Sequence, residues 1–74
     1  MLDRITWDPR QMNGQPCVRG MRLTVRRVVA AVASYPDREE LYRNYPDLDG
    51  EDVRQALEFA AANLADAIFD APAV

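Results

Sequence analysis

PDREELYRNYPDLDGEDVRQAL, residues Pro36 to Leu57, holds the pattern on which the fold turns: a short helix, a tight turn and a longer helix. Pro36 restricts Tyr35 to extended backbone and so ends any helix before it, while Asp37-x-x-Glu40 is the acidic variant of a capping box that opens a new one. Leu41, Tyr42 and Tyr45 give this helix its apolar side, and Pro46 limits it to about two turns. Next comes Asp47-Leu48-Asp49-Gly50, with Asp49 placed as an N-cap and Asp52 at the third helical position. Val53, Ala56, Leu57, Ala60, Ala61, Leu64 and Ile68 then recur at three- and four-residue steps. This series predicts a third helix from about residue 50 to the upper sixties, before Pro72 stops it. Together the two helices and their turn make a helix-turn-helix-like layout.

Working back from there, Thr24 sits where an N-cap belongs, and Val25, Val28, Val29 and Val32 form a stripe of helical period that faces a core. Arg26 and Arg27 fall off the stripe, in a first turn where the helix dipole disfavours cations unless an anion is present. Further back the chain is extended. Ile5-Thr6-Trp7 reads as a short strand near residues 4 to 8, Cys17-Val18 as a second, and Arg22-Leu23 as a fragment of a third. Asn13-Gly14 tolerates the positive φ of a tight hairpin turn, and Pro9 and Pro16 confine the strands to short or edge roles. The fold class predicted is mainly α: a short N-terminal β-hairpin followed by a three-helix, helix-turn-helix-like domain. One domain is expected over residues 1–74, with strands and hairpin in 1–23, the three-helix core in 24–63 and an apolar, acidic extension in 64–74.

Composition removes whole classes of chemistry. A chain of 74 residues buries only about 60% of the surface its unfolded form exposes, and one cysteine makes no intramolecular disulfide. Small domains without such staples often complete their core through a partner chain, so a homodimer is expected. With no histidine, the usual zinc sets and every histidine-based acid, base or triad are excluded. Asp47, Asp49, Glu51 and Asp52 superficially suggest a calcium loop, but the glycine comes too early, and acids at a helix start already have an electrostatic reason to be there. No catalytic residue, metal or cofactor is expected. The start MLDRITWDPR lacks the apolar run of a signal peptide, and no stretch approaches the roughly 20 apolar residues of a membrane span. A cytoplasmic location is the resulting expectation.

The net charge of -3 conceals a divide. Residues 1 to 36 carry six arginines against Asp3 and Asp8, whereas residues 37 to 74 carry three arginines against ten acids. One half suits an anion and the other a cationic surface. In the usual docking of a helix-turn-helix, the second helix enters the major groove, yet here its start carries Asp49, Glu51 and Asp52. If DNA is bound, Arg19, Arg22, Arg26 and Arg27 are therefore expected to do more than the third helix. Partner-docking candidates are Leu64, Ile68 and Phe69 in the C-terminal segment LADAIFDAPAV, which suits an amphipathic helix in a groove.

Four pieces occur in order: Ile5-x-Trp7-Asp8-Pro9; Gly14-x-Pro16-Cys17-Val18-Arg19-Gly20-Met21-Arg22-Leu23-x-Val25; Tyr45-Pro46-x-Leu48; and Glu51-Asp52-Val53-x-x-Ala56-Leu57-x-Phe59-Ala60. This arrangement resembles the VapB-type antitoxin family catalogued as domain of unknown function four-three-three, over about residues 5 to 61. Gly14, Pro16, Gly20 and Arg22 match its motif; Met21 replaces the usual threonine, and Asn13-Gly14 the usual glycine pair. The resemblance implies a small prokaryotic protein that binds and neutralises a PIN-like ribonuclease toxin of a type II toxin–antitoxin module, and that commonly also binds its own operator DNA. A DNA-binding regulator, or a dimeric interaction module without a toxin partner, is the alternative.

Overall fold

A computed structural model describes residues 2–64. Strand β1 (Ile5–Thr6) pairs antiparallel with β2 (Cys17–Val18), in the register Ile5 to Val18 and Thr6 to Cys17. Helices α1 (Val25–Ser34), α2 (Arg38–Asn44) and α3 (Gly50–Ala62) come after the hairpin. The predicted class, a short hairpin leading into a three-helix domain, is the observed one.

Local chemistry accounts for each helix start. Thr24 Oγ1 accepts the Arg27 N–H at 3.1 Å and begins α1. Asp37 Oδ1 accepts the Glu39 N–H at 2.9 Å and begins α2, without the reciprocal bond from Glu40 that the capping-box spacing suggested. At α3 the box is complete: Asp49 Oδ1 accepts the Asp52 N–H at 2.9 Å, and Asp52 Oδ2 accepts the Asp49 N–H at 3.1 Å. The third helix is shorter than its apolar series predicts. It ends at Ala62, because Asn63 turns the chain and its side-chain amide donates to the Phe59 carbonyl at 2.8 Å.

The core lies where α1 packs on α3 and the hairpin closes one side. Val18, Val28, Leu41 and Ala56 are fully buried, with Ile5, Val25, Ala31, Leu48 and Val53 around them. Val29 and Val32 complete the predicted stripe as partly buried neighbours, whereas Ala61 and Leu64 face outward, Leu64 with 74% of its surface exposed. Ile68 and Phe69, the other two docking candidates, lie outside the described residues.

The strand connection departs from a tight hairpin. Met12, Asn13 and Gly14 do have positive φ (49, 58 and 77°), but they form one turn in the middle of a ten-residue loop from Trp7 to Pro16. The two-residue turn occurs instead at Arg19-Gly20, where both φ values are positive (49 and 69°) and Met21 N–H closes onto the Val18 carbonyl at 2.8 Å. Two successive left-handed residues are the mark of a type I′ turn. It folds the chain back so that Val18 N–H donates to Leu23 O and a lone bridge joins Cys17 to Thr24, one residue beyond the predicted Arg22-Leu23 fragment.

Candidate functional site

Because Ile5 opposes Val18, the next pair out is Arg4 and Arg19, and Arg19 N–H donates to the Arg4 carbonyl at 2.7 Å. Their side chains leave the hairpin together and meet the start of α3. Arg19 grips Asp52 in a fork, Nε to Oδ1 and Nη2 to Oδ2, both at 2.9 Å. Arg4 Nη1 reaches the same Oδ1 at 3.0 Å and also binds Asp49 Oδ1. Asp52 is wholly buried and accepts four hydrogen bonds in all. Burial alone would raise its pKa, and it is the largest single influence. The bonds from Arg19, the Asp49 N–H and Arg4 jointly outweigh it, so the carboxyl titrates below its ordinary value. Asp49 is held down to about 2, chiefly by Arg4 and then by the Asp52 N–H.

The outward side of α3 is equally self-contained. Arg54 binds Glu51 at 2.6 Å and Glu58 at 2.7 Å. Gln55 is buried, its Oε1 accepting the Arg4 N–H and its Nε2 donating to Asp3 and Glu51. Glu51 is pulled down to about 2 by Arg54 first and Gln55 second. The acids that stood against DNA contact in the sequence are thus matched by cations within the same molecule.

The four candidate arginines therefore divide. Arg19 is committed to Asp52 and to the Asp47 carbonyl. Arg22, Arg26 and Arg27 stand on one wall of an open groove of about 920 Å³, and Arg10 stands there too. No carboxylate lines this groove, and among the described residues Arg22, Arg26 and Arg27 have no acidic partner. Arg10 has only a long 3.4 Å contact with Asp8. Tyr45 also lines the groove, and its phenol keeps the Arg27 guanidinium above its ordinary pKa.

Arg10 and Tyr45 were not among the sequence candidates. Arg10 carried a signal, as one of the six N-terminal arginines, but only the long loop brings it across to α1. Tyr45 read as the apolar side of α2, and it does stack edge-on against Tyr35 at 6.4 Å between ring centres. Of the motif positions, Gly14 and Gly20 supply left-handed backbone, and Gly20 N–H donates to Thr6 Oγ1 at 2.9 Å. Pro16 O accepts the Val25 N–H that leads into α1. Met21, in place of threonine, packs its side chain against the core.

A two-stranded hairpin clamped to a helical trio by buried charge, with an arginine-lined groove beside it, defines a small mainly helical domain. Residues 5–60 match the model of the family described as "Protein of unknown function (DUF433)", and the chain belongs to that family. It is 39% identical over 59 residues to the uncharacterized protein y4eO of Sinorhizobium fredii, a stretch covering 80% of this chain and 27% of that protein. The chain thus spans about a quarter of that curated relative's length. The crystal structure of a DUF433 member from Anabaena variabilis is similar to it with a TM-score of 0.73 and 31% identity, over 82% of this chain and 60% of that one.

Proposed function

We propose that this chain is an antitoxin of a type II toxin–antitoxin module, which binds and neutralises a PIN-like ribonuclease and, as a homodimer, holds operator DNA in the arginine groove. The observation that carries the reading is the division of charge in space. Arg10, Arg22, Arg26 and Arg27 share one groove, whereas on α2 and the turn after it exposed Asp37, Glu39, Glu40 and Asp47 outnumber exposed Arg38 and Arg43. A ribonuclease surface that binds RNA is basic, and an acidic partner covers it by charge complementarity. The resemblance to VapB-type antitoxins supports the same partner.

Co-expression with the product of the adjacent reading frame tests it. Co-purification and rescue of growth are expected, and a chain ending at Asn63 should neutralise less well, since it lacks Leu64, Ile68 and Phe69. A toxic neighbour that the full chain neither binds nor silences would leave a regulator or a plain dimeric module. The dimer has its own sign, a melting temperature that rises with protein concentration.

The groove favours the DNA reading as a second activity of the same chain. Phosphate neutralisation dominates such binding, so affinity should fall steeply with salt.

A further inference from the structure

The arginine groove does not end at Tyr45. Arg22, Leu23 and Tyr45 also form the near wall of a second, smaller depression of about 330 Å³, completed by Met21, Pro46 and Leu48. The two depressions share Arg22, Leu23 and Tyr45, one being arginine-rich and the other mainly apolar. Asp47 also lines this notch, and its carboxylate repels a phosphate but not the edge of a base. Tyr45 and Pro46 in the lining are an aromatic and an apolar ring, the kinds of side chain on which a base packs.

Duplex DNA keeps its bases stacked and brings only phosphates and groove edges to a protein. The first turns of the helix that would read those edges offer little: Gln55 and Asp52 are buried and bonded, and Arg54 is paired with Glu51 and Glu58. A single strand presents phosphates and unstacked bases together, and proteins hold it with a basic track and aromatic platforms.

We infer that the groove and notch together form a site for a single-stranded nucleic acid, with phosphates on Arg10, Arg22, Arg26 and Arg27 and one unstacked base against Tyr45 and Pro46. This rests on the reading of the groove as a nucleic-acid surface, and departs from duplex operator DNA as its preferred occupant. DNA and RNA strands share the chemistry.

Fluorescence anisotropy with the full chain tests it, using labelled oligothymidylate, oligouridylate and a duplex of equal length. Both single strands should bind more tightly than the duplex, and the better of the two identifies the natural source. Tyr45→Leu should weaken single-strand binding by about tenfold, the worth of one base–aromatic stack, while Tyr45→Phe retains it and duplex affinity stays unchanged. Because Tyr45 also packs on Tyr35, the exposed Pro46→Glu provides a second probe and should abolish the preference without unfolding the chain. Equal or tighter binding of the duplex overturns the inference but leaves the groove as a DNA surface. A single-strand preference untouched by both notch variants overturns the assignment of the base, and no binding of any oligonucleotide overturns both readings.

Discussion

Asp52 Oδ1 lies 3.0 Å from Arg4 Nη1 and 2.9 Å from Arg19 Nε, so one fully buried oxygen joins the two strands of the hairpin to the start of α3. The same carboxylate caps the helix through the Asp49 N–H. One residue therefore sets the position of the hairpin, the helix start and, through the Arg19-Gly20 turn, the approach to Arg22. It also explains why Arg19 holds a φ of 49°, which costs a residue with a Cβ: its guanidinium has three acceptors waiting, two on Asp52 and one on the Asp47 carbonyl.

Removing that carboxylate should be among the most damaging single changes. Asp52→Ala leaves two arginines facing a void and uncaps α3, a loss of about 3 kcal/mol by analogy with other broken buried pairs. A domain of this size has a total stability of about 4–11 kcal/mol, so thermal unfolding should move down by well over ten degrees or be lost altogether. Asp52→Asn keeps the volume and one acceptor and should fall between the two. Circular dichroism melts give the order; an Asp52→Ala protein as stable as the parent would show that the clamp is ornamental.

The same network predicts the acid limit. Asp49 and Glu51 titrate near 2 in the folded chain, against ordinary values of 3.8 and 4.5, and Asp52 is lowered as well. Folded pKa values below the unfolded ones mean that the stabilisation is fully present above about pH 5 and is lost as pH falls through the folded values. Stability measured by urea denaturation should therefore be flat from pH 7 to 5 and decline from about pH 4.5 towards pH 2. Arg4→Gln should flatten that decline by returning Asp49 towards its ordinary pKa, because Arg4 is its main partner. An unchanged profile would rule out this origin.

Two glycines should respond in opposite directions. Gly20 has a φ of +69° and open space within 4 Å of where a Cβ would sit, so Gly20→Ala meets no clash and costs only the left-handed strain, about 1 kcal/mol. Gly50 opens α3 without a positive φ, and a Cβ there would lie 3.6 Å from the Tyr42 hydroxyl, an ordinary contact. Gly50→Ala should stabilise by about 0.5 kcal/mol through helix propensity and a stiffer unfolded chain. Melting curves of the two variants should lie on opposite sides of the parent.

The helices were legible because their signals are local. Thr24, Asp37 and Asp49 each cap a backbone N–H no more than three residues further on, and the Val25 to Val32 stripe needs only the helical period. Asn13-Gly14 was half legible: the pair announces positive φ, but nothing in it reports that the strands stand ten residues apart. The Asp52 clamp was hidden, since it needs the Ile5 to Val18 register and then a contact across 48 residues to Arg4. Asp52 is a good cap in sequence and a buried hub in space, and the first reading concealed the second. Arg19 does not line the groove for the same reason, its guanidinium being bound to Asp52, whereas Arg22, Arg26 and Arg27 needed only their places beside one helix start to share it.

Two exposed arginines separate the groove from the usual recognition helix as the nucleic-acid surface. Arg26 faces the groove with no acid beside it, and Arg54 lies on the outward side of α3 between Glu51 and Glu58. If phosphates sit in the groove, Arg26→Ala should weaken binding and reduce the slope of log affinity against log salt by about 1, the share of one phosphate contact. Arg22→Ala should do the same, and the double variant should lose about 2, because neither arginine has a competing internal partner. Arg54→Ala removes a cation that Glu51 and Glu58 already neutralise, so the slope should not change. A slope that drops with Arg54→Ala and holds with Arg26→Ala would place the nucleic acid on α3, and the groove would lose its role.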